Sequence, residues 1–333
     1  SSLIVEAYYR LGEIQYGSGG FDDAIKSYDE VLKRSPKSTF ASFARSGKGW
    51  ALLKKKAYQA SVTEFTQLIA TAANTESGHQ ALLARGMCYR QLKQHDLALK
   101  DLNAFLQTAP KGPLASDAWY EKGLTLVSLK QFAPAVLAFE AILKNFPNYP
   151  TRDRVWFELA WALKSSGSPK AAGAFGQLVK EFPKSLLAAE AWFQVGEAHY
   201  EAKRYTQADP CYRAAQKGAT TGELGELVTY KLGWTLYHLE KYSEAIGQFS
   251  NQINIYREGS LFADGVFMHG ECLFKQEEYA QAWKSFQKAH SFPPRTPQIG
   301  ALTLLHGAQS ASQEKQWDAS RKWLTEFVDR YPQ

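Results

Sequence analysis

Small and large apolar residues recur along this chain in three locked registers. A small residue stands at Gly12, Gly49, Gly86, Gly123, Ala160, Gly196, Gly233, Gly270 and Gly307, at steps of 37 residues apart from one of 36 after Ala160. A second small register follows about one-third of a period later, at Ala24, Ser61, Ala98, Ala135, Ala171, Ala208, Ala245, Ala282 and Ala319. Four residues beyond it the side chain is always large: Tyr28, Phe65, Leu102, Phe139, Phe175, Tyr212, Phe249, Phe286 and Trp323. A small residue lets two helix axes approach, and a small residue followed at i+4 by a large apolar one gives a second helix its packing stripe. The pattern therefore predicts nine units of two helices each, and no segment shows the period-two alternation of a strand.

Turn formers and exposed charges separate the two helices of a unit, as in Gly17-Ser18-Gly19-Gly20, Lys54-Lys55-Lys56 and Ser165-Ser166-Gly167-Ser168. Helix stops at Pro36, Pro110, Pro147, Pro183, Pro294 and Pro332 close units, with Ser38 and Ser185 available as caps. Units two and seven carry Ala72-Ala73-Asn74-Thr75 and Tyr256-Arg257-Glu258-Gly259 instead, which predicts longer or looser junctions there. Pro210 falls inside a second helix, where a lost donor and a ring clash cost about 3 kcal/mol, so a kink or a late helix start is expected.

Length alone would suggest two domains. The repeat replaces that expectation with a single array over residues 1–333, its units at about 5–41, 42–78, 79–115, 116–152, 153–188, 189–225, 226–262, 263–299 and 300–333. A composition of 45% apolar and 22% charged residues is ordinary for a soluble globular chain. No apolar run nears the ~20 residues of a bilayer-spanning helix. Cys88, Cys211 and Cys272 lie too far apart for a zinc site or a disulfide framework. The chain opens at Ser1-Ser2-Leu3 and stops at Tyr331-Pro332-Gln333, where another unit would start, so a longer parent chain is expected and targeting cannot be read.

This pattern resembles the tetratricopeptide repeat, whose signature runs through an aromatic, Leu-Gly, Tyr, Ala, an aromatic, Ala and a closing Pro. It stands as Tyr8, Leu11-Gly12, Ala24, Tyr28 and Pro36 in unit one. Unit four has Trp119, Gly123, Ala135, Phe139 and Pro147, and unit six Trp192, Gly196, Ala208, Tyr212 and Ala215. Units of 37 residues with junctions such as Phe146-Pro147-Asn148 and Phe182-Pro183-Lys184-Ser185 also resemble the bacterial envelope subset, which includes the Tol-Pal system coordinator and outer-membrane assembly lipoproteins. That likeness implies the periplasm or cell envelope for a bacterial chain, and the cytoplasm otherwise. The family resemblance implies an all-α, right-handed α-solenoid of about nine helix-turn-helix units, with the first helices lining a concave surface. It also implies a non-catalytic scaffold that binds a partner protein or peptide segment.

Counted from the glycine register, positions −6, −3, +1 and +4 share one face of the first helix, and the resemblance makes that face the concave one. It carries Tyr9, Tyr16, Trp50, Tyr120, Phe157, Trp161, Phe193, Tyr200, Tyr230, Trp234, Tyr237 and Phe267. Rigid aromatics concentrated on one face point to recognition, against the plainer reading that they pack on the next helix. Charges on the face are sorted as well. Lys54, Arg90, Arg154 and Lys164 lie in units two to five, with Asp117 as the exception, and Glu190, Glu197, Glu201, Asp264 and Glu271 in units six to eight against Lys275. Residues 1 to 166 hold the whole excess of the net charge of +6. A bipolar groove that orients a bound segment is the corresponding expectation. The register after the glycine, where the carboxylate-clamp members of the family place Asn, holds Glu13, Trp50, Met87, Leu124, Trp161, Glu197, Trp234, Glu271 and Ala308, so no such clamp is expected.

Enzyme motifs are poor, and neither cofactor nor metal is expected. Gly17-Ser18-Gly19-Gly20 lacks the Gly-Lys-Ser/Thr of a phosphate loop and joins two helices. Ser285-Phe286-Gln287-Lys288 matches Ser-x-x-Lys without its companion motifs. His269, Glu271 and Cys272 do not all face one way on a helix. Two other functions compete: an RNA-reading helical repeat, disfavoured because +6 over 333 residues is thin electrostatics for phosphate tracking, and a recruiting arm of a larger enzyme or assembly.

Overall fold

The computed structural model describes residues 2–332, and eighteen helices and no strand occur among them. The first helices of the nine repeats are α1 (Ser2–Gly17), α3 (Thr39–Lys54), α5 (Glu76–Gln91), α7 (Ala115–Ser128), α9 (Arg152–Ser165), α11 (Ala188–Glu201), α13 (Gly222–His238), α15 (Phe262–Lys275) and α17 (Pro297–Gln313). Each is followed by a second helix: α2 (Phe21–Arg34), α4 (Tyr58–Ala72), α6 (His95–Thr108), α8 (Phe132–Asn145), α10 (Ala171–Glu181), α12 (Tyr205–Gly218), α14 (Tyr242–Ile255), α16 (Tyr279–His290) and α18 (Trp317–Arg330). This is the all-α helix-turn-helix repeat architecture that the periodicity predicts. Among the described residues no helix is long and apolar enough to cross a membrane. The chain forms two compact halves, one ending at Ala171 and one starting at Ala172.

The three registers are the packing contact itself. Tyr28, Phe65, Leu102, Phe139, Tyr212, Phe249 and Phe286 are fully buried, each lying against the glycine of its own first helix. A Cβ built on Gly123 would stand 2.5 Å from the Phe139 ring, and one on Gly49 2.7 Å from Phe65. Any larger residue at these positions would force the helix pair apart. In the ninth repeat Trp323 fills this place against Gly307, but α17 runs one residue further past its glycine before the turn. Buried Ser320 consequently occupies the small register there in place of half-buried Ala319.

Each turn needs one left-handed residue, glycine in repeats one and five (Gly19 and Gly167) and a residue with a side chain in the others. Lys56, Lys93, Lys130, Lys203, Glu240, Glu277 and Lys315 adopt it with φ of 55–62°. A side chain in this region costs about 1–2 kcal/mol, and glycine gives back part of that relief through its freer unfolded chain. Lys130→Gly should therefore raise stability by about 0.5–1 kcal/mol, seen as a higher urea midpoint at unchanged slope. A lower midpoint would contradict this account of the turns.

The longer junctions expected after repeats two and seven do not occur, and of the two outcomes expected at Pro210 the late helix start is absent. The junction after repeat two is short: only residues 73–75 separate α4 from α5, and Thr75 Oγ accepts from the Gly78 amide at 3.2 Å. Helix α5 starts ten residues before Gly86, the same register at which α3 starts before Gly49. The approach is close enough that a Cβ on Gly78 would meet the Ala72 carbonyl oxygen at 2.0 Å. The junction after repeat seven, residues 256–261, has the same six-residue length as those after repeats three, four and five. Nor does Pro210 delay its helix, since α12 starts at Tyr205 and runs through it. Pro210 and Thr206, whose carbonyl loses its partner, are both exposed, so the ring avoids the core and water can solvate the carbonyl.

In the first half, α1 touches α3, α3 touches α5, α5 touches α7 and α7 touches α9, whereas successive second helices make no sustained contact. The second half repeats this through α11, α13, α15 and α17. First helices converge and second helices splay, so within each half the first helices lie on the inner side of the curve.

Candidate functional site

Within the first half, the −6, −3, +1 and +4 registers of repeats one to three meet around one open cavity of about 520 Å³. Helix α1 contributes Tyr9, Glu13 and Tyr16, and α3 contributes Phe43, Ser46 and Trp50. The first turns of α5 bring Glu76, Ser77 and Gln80 across from them. Tyr9 packs on Phe40 and Phe43 at centroid distances of 5.6 and 5.9 Å, and Trp50 meets Phe65 edge-on at 5.9 Å. Phe43 nevertheless remains 46% exposed, while Tyr9, Tyr16 and Trp50 are half-buried. The floor depends on Gly47, a glycine outside the register. A Cβ there would lie 2.5 Å from the Tyr28 ring. Tyr28 donates its hydroxyl to Glu13 Oε1 at 2.5 Å, and burial together with the Glu13 charge raises the pKa values of the Tyr9, Tyr16 and Tyr28 phenols.

The other aromatics divide by register. Those at −3 turn toward the core of their own repeat, as Phe193 does on Tyr212 and Phe267 on Phe286, and both are 4% exposed. Tyr120 packs likewise on Phe139 and Tyr230 on Phe249, but they stay half-buried, and burial pushes both phenols up to about 12. Residues at +1 and +4 reach outward. Trp161 meets Phe157 edge-on at 6.2 Å, with the Lys164 ammonium 5.3 Å from its ring. In the second half, Tyr200, Trp234 and Tyr237 all touch the exposed His238 ring, which stacks on Tyr205 at 4.3 Å.

Several charges read as displayed on the face are tied to the next repeat. Arg90 Nε donates to Glu121 at 2.5 Å, and Lys231 pairs with Glu197 at 2.9 Å while Tyr212 donates its hydroxyl to the same carboxylate. Glu271, 4% exposed, holds His306 Nδ1 at 2.6 Å, and that imidazole stacks on Phe274 at 4.6 Å. These side chains join consecutive first helices rather than face a partner, whereas Arg154 and Lys164 remain exposed. His269 bonds Ser285 at 3.0 Å and Cys272 is buried, its thiol pushed up to about 12, so His269, Glu271 and Cys272 face separate partners.

The cavity acids, Gly47 and the short junction that delivers Glu76 were not foreseen as site features. The available signal was a glycine at −2, found in no other repeat.

No curated protein matches this sequence. Among solved structures, the C-terminal part of a TPR repeat-containing protein from Cytophaga hutchinsonii is 17% identical, with a TM-score of 0.58 over 76% of this chain and 97% of that one. A tetratricopeptide repeat protein from Parabacteroides merdae is also 17% identical, with a TM-score of 0.50 over 91% of this chain and 99% of that one. Both likenesses concern the fold. The tetratricopeptide repeat family profile matches residues 9–76, 46–113, 100–150 and 156–223, well over half of the sequence. Family profile, helix pairing and glycine-to-aromatic packing agree that this chain belongs to the tetratricopeptide repeat family, a helical-repeat scaffold for protein–protein interaction.

Proposed function

We propose that this scaffold is non-catalytic and binds a polypeptide segment of a partner on its first-helix face, with the cavity between α1, α3 and α5 as the principal contact. The observation that carries this reading is the cavity itself, where half-buried Tyr9, Tyr16 and Trp50 and exposed Phe43 line one concavity without filling it. Rigid amphipathic rings at such a place give large contact area for little entropy lost, which is how binding hot spots are built. Tyr120, Trp161, Tyr200, Trp234 and Tyr237 extend the same register within their own halves.

The test is affinity capture from the source cell extract with three proteins: wild type, a Tyr16→Ser/Trp50→Leu variant, and a Leu137→Ser control on the second-helix face. Leu137 is 66% exposed. Partners retained by wild type and the control but reduced at least about tenfold by the groove variant are expected, a loss of about 1.4 kcal/mol or more. Equal capture by all three at matching thermal melts would move recognition off this face.

A further inference from the structure

We infer that the α1–α3–α5 cavity takes a lysine or arginine side chain from the partner's bound segment, held between aromatic walls and two carboxylates. This rests on the proposed first-helix groove and specifies what it selects. The lining contains Glu13 and Glu76 and no lysine, arginine or histidine. Neither carboxylate makes an ion pair among the described residues. Glu13 accepts a neutral phenol and Glu76 a neutral amide, from Gln80 at 3.1 Å, so neither carboxylate has a cation as its hydrogen-bond partner. Elsewhere the inner-face charges Arg90 and Glu197 pair with an opposite charge of the next repeat and Glu271 bonds His306, whereas here the −2 position is Gly47 and Lys48 at −1 is engaged by Asp29 at 2.6 Å and Glu64 at 2.8 Å. Arg10 approaches only from the rim, 5.7 Å from the Tyr9 ring, and pairs with Glu6 at 3.7 Å.

Chemistry then narrows the occupant. Tyr9, Tyr16 and Trp50 offer electron-rich faces that attract a cation. Glu13 and Glu76 supply charged acceptors, and Ser46 and Ser77 add neutral ones for the several donors an ammonium or guanidinium carries. An acidic segment would meet two uncompensated carboxylates, and a purely apolar one would leave them desolvated without a partner. The inner-face cavity of the basic half of the chain is thus locally acidic, so net charge by half misreports what this surface attracts.

A nine-residue random peptide library is displayed and selected against the full chain, and the winners are remade with each Lys or Arg replaced by norleucine. Selected peptides should carry a basic residue, and the norleucine analogue should bind about tenfold more weakly to wild type. That preference should vanish in Glu13→Gln/Glu76→Gln, whose amide at position 13 can still accept from Tyr28. Glu76→Gln alone, at an exposed position, serves as a second variant should the double one melt early, and it should lose part of the preference. Peptides that bind wild type, fail on Tyr16→Ser/Trp50→Leu and show no basic preference would overturn the cation site and leave the groove standing. Peptides indifferent to Tyr16→Ser/Trp50→Leu would remove both.

Discussion

Phe139→Ala should destabilise the first half by about 3–5 kcal/mol, the range for deleting a fully buried aromatic whose site cannot collapse. Phe139 is wholly inaccessible, sits against Gly123 and supports the Tyr120 ring at 6.1 Å. Closing the void would need α7 to move, and α7 is held on its other side by α6 and α9. Because each repeat leans only on its neighbours, the damage should be regional. Amide exchange should rise first in α7 and α8, with the denaturant midpoint falling to match. A loss under about 1 kcal/mol would mean that the glycine-to-aromatic contact is not what closes the repeat. The reciprocal overpacking, Gly123→Ala, should cost about 1–3 kcal/mol, and Gly123→Ala/Phe139→Leu should recover part of it.

Arg85→Met is expected to be comparably severe, at about 3–5 kcal/mol, because it strands a buried carboxylate. The Arg85 guanidinium grips Asp101 through two hydrogen bonds of 2.7 and 2.9 Å and reaches Thr66 at 3.0 Å, with Asp101 only 4% exposed. Removing the cation leaves that charge in a desolvated site, whereas Arg85→Met/Asp101→Leu removes both partners and should recover most of the loss. A double variant no better than Arg85→Met would show that shape, not the unpaired charge, sets the cost. Chemical denaturation of the four corners of this cycle gives the answer directly.

The fold was legible because its defining contact is local and periodic. A glycine on one helix and an aromatic on the next leave a fixed spacing in the sequence, and the built Cβ distances at Gly12, Gly49, Gly123, Gly196, Gly233 and Gly307 show why nothing larger stands there. Legibility ended where a one-residue choice or an inter-repeat offset decides. Ala319 and Ser320 are both small, and only the left-handed Lys315 shows which of them enters the core. The sorted charges misled because a +1 or +4 side chain meets a −2 or −1 residue of the following repeat, as Arg90 meets Glu121 and Glu271 meets His306. Phe193 and Phe267 share a register with Tyr9, yet the first two rings are buried and the third is half-buried, a difference the register does not carry. The acidic cavity needed three separate features, Gly47, Glu13 and Glu76 in the first turn of α5, none of which stands out in a periodic pattern.

The most direct test of the account places a photoreactive benzoylphenylalanine at Phe43 in one protein and at Leu137 in another, 46% and 66% exposed in the native chain. Each is irradiated with the partner isolated by affinity capture. Covalent adducts at position 43 and none at 137 are the predicted result. Adducts at 137 with none at 43 would place recognition on the second-helix face and contradict the central claim.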